Sequence, residues 1–301
     1  MFEHILSELK NIPDLRILEN EPMSHHTTFK IGGPARLFLD AHSTDALSSA
    51  YSLLCDSGVS PLILGNGSNL LVSDSGFDGT VLKVSCNKIT VCENRIFAEA
   101  GALLSSVASL AQKSALSGLE FAHGIPGSVG GAVVMNAGAY GGEISDVLIC
   151  STYISKDGIF RICNKEHNFG YRNSIYKHNS DFTVLSAEFE FSCGDAEKIA
   201  ETMRELAEKR RSKQPLEYPS AGSVFKRPEG CFAGALIEQC GLKGFSIGGA
   251  EVSEKHAGFI VNRGGATACD VRSLIEHIQN VVLKETGISL ECEICFVQKE
   301  G

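Results

Sequence analysis

The chain has 301 residues, 43% of them hydrophobic and 21% charged, the composition of an ordinary globular protein rather than a disordered one. At about 150 residues per domain, the length predicts roughly two domains. Lys and Arg total 27 against 36 Asp and Glu, a net charge of −9; that is the wrong sign for a nucleic-acid binder, and no apolar run approaches the ~18 residues of a membrane helix.

The opening MFEHILSELK is amphipathic and partly acidic, without a positively charged start or a small-residue cleavage site, so no signal peptide is expected. Thr44-Asp45 reads as a helix start, and 46–55 is apolar at helical spacing until Gly58. A strand over 61–65 (PLILG) leads into a glycine loop and a second strand at Leu70-Leu71-Val72. Short strands are expected at 80–84 and within 88–98, then a helix over 103–115 that stops near Gly118. Segments 148–155, 159–163 and 183–191 have the composition of an antiparallel meander. A charged helix follows over 195–213, capped by Asp195, with Ile199, Met203 and Leu206 as its apolar stripe. Two prolines in 214–220 interrupt it. A last helix begins near Asp270, with Val271, Leu274, Ile275, Ile278 and Val282 on one face, and the chain closes in a strand over 289–297. The expected class is α+β with mixed sheets in both halves, a first domain at 1–195 split near 85 and a second at 196–301.

Eleven cysteines, an odd number spread over the whole chain, make no disulfide framework, so reduced thiols in a cytoplasmic compartment are expected. Cys292-x-x-Cys295 lacks the second pair or the histidines that zinc requires, so no metal site is expected.

Glycine is abundant, 31 residues, and clustered. One cluster is Gly65, Asn66, Gly67, Ser68 and Asn69. The densest runs Gly124, Ile125, Pro126, Gly127, Ser128, Val129, Gly130 and Gly131, followed at once by apolar Ala132-Val133-Val134. The first cluster follows a strand but lacks the third glycine of a dinucleotide fingerprint, so a Rossmann reading is weak. Amides exposed between glycines can cradle a pyrophosphate without lysine, and the second cluster opens a possible helix whose N-terminus favours anions. Tight turns in a packed sheet are the plainer alternative for either cluster; two clusters in one half favour a phosphate-bearing cofactor.

Three further residues invite functional readings. Arg172 lies in the polar stretch Tyr171-Arg172-Asn173-Ser174, where a solvated surface side chain is the ordinary outcome. Ser223, in PSAGSVFK, lacks the Gly-x-Ser-x-Gly elbow of a hydrolase nucleophile but retains a proton to give. On an alternating terminal strand Glu291, Glu293 and Cys295 share the face opposite Leu290, Cys292, Ile294 and Phe296, so Glu293 is either on a wet face or sheltered for chemistry.

Residues 215–228 (PLEYPSAGSVFKRP), 241–262 (GLKGFSIGGAEVSEKHAGFIVN), 124–136 and 171–174 together closely resemble the UDP-N-acetylenolpyruvoylglucosamine reductases, from about Thr27 to the C-terminus. The chain resembles the second structural type of that family, since no insertion carries the tyrosine loop of the first. The resemblance implies a vanillyl-alcohol-oxidase-type FAD-binding domain of two subdomains and a smaller α+β substrate-binding domain, with FAD held non-covalently by the two glycine loops. It implies NADPH as hydride donor, the enolpyruvyl ether of UDP-N-acetylglucosamine as substrate, and a place in peptidoglycan precursor synthesis. Arg172 matches the family's catalytic arginine, Ser223 its proton-donating serine and Glu293 its catalytic glutamate. The terminal strand departs from the first type, reading Leu290-Glu291-Cys292-Glu293-Ile294 where Leu-Glu-Pro-Glu-Val is frequent. Lys226, Arg227, Lys255 and His256 lie in matched segments as candidate contacts for the UDP end. No nucleic-acid, membrane or obligate protein partner is inferred. Another oxidase on the same FAD domain and an inactive nucleotide-binding protein remain the competing readings.

Overall fold

The computed structural model describes residues 2–298; residue 1 and the last three residues of the expected second domain lie outside the described residues. The amphipathic opening is a helix, Phe2–Leu9, that buries Ile5 and Leu9. Two strands follow that period-2 patterning did not reveal, Leu15–Pro22 and Pro34–Ala41. In the second, Leu37 through Ala41 are all buried, so inward and outward positions are alike apolar except at Asp40. With Phe77–Val84 and Leu62–Leu64 they form a four-stranded sheet in that order, the last pair being parallel. The first long helix, Thr44–Asp56, starts where expected, but its cap is Ser43, whose hydroxyl accepts from the Ala46 amide at 3.2 Å. Gly58, at φ +73°, follows its end.

The meander is a five-stranded sheet, antiparallel throughout, ordered Gly158–Cys163, Leu148–Ser155, Thr183–Glu190, Arg95–Glu99, Ile89–Cys92. Its hairpin register sets Cys150 directly opposite Cys163, and the two sulfurs are bonded. The expectation of reduced thiols therefore fails at this pair. Spacing of 13 residues gives no sign of the pairing, because only strand register brings the two side chains together.

The chain divides into two compact units. The first comprises Met1–Leu18, Leu37–Asn66 and Thr80–Lys209; the second comprises Glu19–Arg36, Gly67–Gly79 and Arg210–Gly301. The first is built on one core, to which strands on both sides of residue 85 contribute, among them Leu82 and Ile96. The helix Ala196–Lys213 turns Ile199, Met203 and Leu206 into that core, so the division falls at Lys209 instead of 195.

The second unit has its own core around the helix Ala268–Thr286, whose five expected apolar residues are all buried. A capping box of Thr267 and Asp270 opens this helix and Gly287, at φ +73°, closes it. A three-stranded sheet, Ser246–Ile247, Ala250–Val252 and Ile260–Asn262, covers it. The expected terminal strand is shorter: Cys295–Val297 forms the strand, parallel to Leu70–Val72, and Cys292 makes a single antiparallel bridge to Phe225. Leu290 and Ile294 are buried as alternation predicts, but the pattern breaks beyond them, leaving Phe296 37% exposed and Val297 buried. Among the described residues no helix is long and apolar enough to cross a membrane. No group of three or more His, Cys, Asp or Glu among them could hold a metal ion.

Candidate active site

The first unit brings Gly65 and Asn66, the start of the first glycine loop, against the second loop. Asn66 donates its side-chain amide to the Pro126 carbonyl at 2.6 Å. A Cβ on Gly65 would stand 2.4 Å from the Ser128 hydroxyl, so glycine is what permits the approach. The second loop is sewn to residues 100–104: Leu104 donates to the Gly127 carbonyl, Val129 to that of Ala102 and Gly130 to that of Ala100, at 2.8–3.0 Å. Ser128 caps the short helix Val129–Val134 by accepting from the Gly131 amide at 3.3 Å. At six residues that helix adds little dipole, so an anion here would be held by loop amides. Beside the loops lies a cavity of about 300 Å³, lined by Gly65, Asn66 and Ser128 together with Asp40, Lys83 and Ser85. Ser85 donates to the Asp40 carboxylate at 2.5 Å. Backbone bared by glycine, polar walls and a lysine suit the diphosphate and a neighbouring sugar of a dinucleotide cofactor. The lining of Asp40 and Lys83 escaped the sequence reading; a lone acid inside the run Leu37-Phe38-Leu39-Asp40-Ala41 was the available signal.

In the second unit, Gly67 stands at φ +61°, and a Cβ there would meet the His26 carbonyl oxygen at 2.0 Å. Asn69, two residues on, donates its side-chain amide to the Glu293 carbonyl at 3.2 Å and accepts from the Cys295 amide at 2.9 Å.

Arg172 belongs to the first unit, in the turn before the short helix Ile175–His178. Its backbone is left-handed, φ +53°, unusual for a residue with a Cβ, and its carbonyl accepts from the Lys177 ammonium at 3.1 Å. The guanidinium donates to the Gly138 carbonyl at 3.2 Å. The turn is fixed on both sides: fully buried Asn136 donates to the Gly170 carbonyl at 3.2 Å, and the Ser174 hydroxyl donates to that of Val134 at 2.7 Å. The arginine and the end of the second glycine loop therefore share one framework.

Ser223 and Glu293 belong to the second unit, where their segments run next to each other. Ser223 pairs with Phe259 and Phe225 with Cys292, both antiparallel. Between them the Glu293 amide donates to the Val224 carbonyl at 2.7 Å, and the Val224 amide donates to that of Gly258 at 2.9 Å. The Ser223 hydroxyl donates to the Phe225 carbonyl at 3.2 Å. Both side chains are half-buried, whereas the Glu291 side chain is 74% exposed. The two glutamates therefore part company: Glu291 pairs with Lys226 at 2.9 Å, which holds its carboxyl below the usual range and raises the ammonium.

The candidate UDP contacts are all in this unit and largely engaged. Besides Lys226, Lys255 reaches Glu217 at 3.6 Å, and Arg227 lies over the Phe232 ring at 4.5 Å. His256 turns inward, and burial pushes its pKa below the usual imidazole value.

Comparison with known proteins matches two stretches of the chain. Residues 35–164 match the model of an FAD binding domain, and 214–297 match that of the C-terminal domain of UDP-N-acetylenolpyruvoylglucosamine reductase. The reductase of that name from Pediococcus pentosaceus is 48% identical over 290 residues, covering 96% of each chain. That of Clostridium novyi is 46% identical over 300 residues, covering 99% of this chain and 97% of its own. The crystal structure of the Thermus caldophilus reductase superposes with a TM-score of 0.80 at 34% identity, over 94% of this chain and 98% of that one. Fold and relatives together define an FAD-dependent oxidoreductase. The chain belongs to the UDP-N-acetylenolpyruvoylglucosamine reductase family.

Proposed function

We propose that the chain reduces the enolpyruvyl ether of UDP-N-acetylglucosamine to UDP-N-acetylmuramate in the cytoplasm, with NADPH as reductant, for peptidoglycan precursor synthesis. The first unit is assigned most of the FAD site, non-covalent, through Gly65, Asn66 and 124–131, and the second unit the substrate half. FAD, when bound, supplies the route by which hydride passes from NADPH to the terminal carbon of the enolpyruvyl double bond. Charge then develops on the adjacent carbon and its carboxylate. Arg172, with its planar fork of donors, neutralises it. Glu293 supports the same developing aci-carboxylate by donating a hydrogen bond, a role open to it only as the carboxylic acid. Ser223 gives its hydroxyl proton to the carbon, completing the lactyl ether.

The observation that carries this reading is the ladder that puts Ser223 and Glu293 on adjacent segments, with Glu291 turned to solvent. Purified protein should be yellow, and acid precipitation should leave the colour in the supernatant. The deciding measurement is anaerobic: flavin reduced by NADPH should be reoxidised by the enolpyruvyl sugar nucleotide. A flavoprotein inert to that compound would be some other oxidoreductase on the same FAD domain.

A further inference from the structure

His256 is not placed like a side chain that waits for a ligand. Its Nδ1 accepts the Gly258 amide at 3.1 Å, so that nitrogen carries a lone pair and the ring proton sits on Nε2. Two glycines form a slot around the ring: a Cβ on Gly234 would lie 3.3 Å from Cε1, and one on Gly258 would lie 3.1 Å from it. The Phe259 ring closes another side, edge-on at 4.9 Å. The segment itself is held from below by Ser253, whose hydroxyl accepts from the Lys255 and His256 amides at 3.2 and 3.3 Å.

What the ring holds is the start of the ladder. Gly258 gives its amide to His256 and accepts the Val224 amide at 2.9 Å; Val224 in turn accepts the Glu293 amide at 2.7 Å. Ser223 pairs with Phe259 in the same register, and its Oγ lies 3.5 Å from where a Gly258 Cβ would be. One imidazole lone pair therefore terminates a run of hydrogen bonds that sets the spacing of both Ser223 and Glu293.

We propose that His256 is the positioning residue for Ser223 and Glu293, acting in its neutral Nε2–H form through Gly258 and Val224, a role that rests on the reduction assigned above. Protonation at Nδ1 turns the acceptor into a donor facing the Gly258 N–H, and the ladder loses its first rung. The charged groups that act on the ring are Lys243 and Glu238, from the turn after the helix Ala233–Gln239 and from that helix, and Lys213 at the end of the helix Ala196–Lys213. Glu238 and Lys243 pair with each other at 2.6 Å. Burial, the largest influence, acts with the lysines to keep the ring neutral, and a hydrogen bond to the residue's own backbone and the charge of Glu238 oppose them.

The test uses the FAD-loaded protein and follows the two half-reactions separately from pH 5 to 8.5. In the wild type, reoxidation by the enolpyruvyl sugar nucleotide should fall about tenfold per pH unit below the His256 midpoint. His256→Ala should slow that half-reaction at least tenfold at pH 8 and change flavin reduction by NADPH less than twofold. His256→Asn, whose side-chain oxygen can accept the Gly258 amide but does not titrate, should recover most of the rate and lack the acid limb. Nitrogen NMR should show an unprotonated Nδ1 on His256 at pH 7. A protonated Nδ1, an acid limb that survives in His256→Asn, or equal slowing of both half-reactions in His256→Ala would each overturn the proposal alone. Wild-type protein that holds FAD yet never passes electrons to the enolpyruvyl sugar would overturn the functional reading, and the proposal with it.

Discussion

The Glu293 amide donates to the Val224 carbonyl at 2.7 Å, one residue from Ser223. The register of the two segments is thus set by backbone. Removing either functional group should leave fold and colour intact.

Ser223→Ala should spare flavin reduction by NADPH and slow reoxidation by substrate by about 10²–10⁴-fold, the usual worth of a positioned proton donor. Stopped-flow measurement of both half-reactions separates the two effects. Equal damage to both would make Ser223 structural.

Glu293→Gln should cut substrate reduction by on the order of 10²-fold, comparable to the loss of one preorganised transition-state contact. Glu291→Gln should change turnover less than twofold, since its partner Lys226 meets it on the surface. Comparable turnover in the two variants would return Glu293 to a solvated face.

Asp74 caps the long helix of the second unit, accepting from the Ala268 amide at 2.8 Å and the Cys269 amide at 3.0 Å. Asp74→Ala should lower stability by about 1–2 kcal/mol, read as a shift in the urea midpoint, with the flavin spectrum unchanged.

Asp270, at the third position of that helix, is held below its usual value of 3.8, first by the Thr267 amide and then by the Thr267 hydroxyl and Gly249 amide, against partial burial. A depressed folded value means stability that is present above the ordinary carboxylate range and is lost as pH falls through the lowered one. Melting curves of wild type and Asp270→Asn should differ at pH 7 and converge toward pH 2.

Gly67→Ala should be among the costliest glycine changes, because the added Cβ meets backbone at 2.0 Å in a left-handed residue. Gly141, at φ +92° with nothing within 4 Å, is the control: Ala there should cost about 1 kcal/mol of conformational strain. Expression yield and retained flavin absorbance distinguish the two.

Helix faces were legible in the sequence because 3.6-residue periodicity survives wherever one side meets water, as for Val271 through Val282. Strands buried on both faces were not: Leu37 to Ala41 carry no alternation to read. The glycine loops announced themselves by composition, but that Asn66 reaches Pro126 depends on chain reversal over 60 residues. At the terminal segment, alternation grouped Glu291 with Glu293, and only the pairing of Lys226 with Glu291 separated them. The Cys150–Cys163 bond was hidden for the same reason, being a property of register.

Asn136, Ser174 and the Arg172 guanidinium tie the turn at 170–174 to the segment that continues the second glycine loop. The two are therefore inherited together and cannot be tuned apart. A laboratory selection for an altered cofactor that reshaped residues 134–138 would drag the guanidinium with it, and its winners should carry second changes at Asn173 or Lys177 that restore the turn. Modularity in this enzyme lies elsewhere, and the loop and its arginine would move between scaffolds only as a single graft.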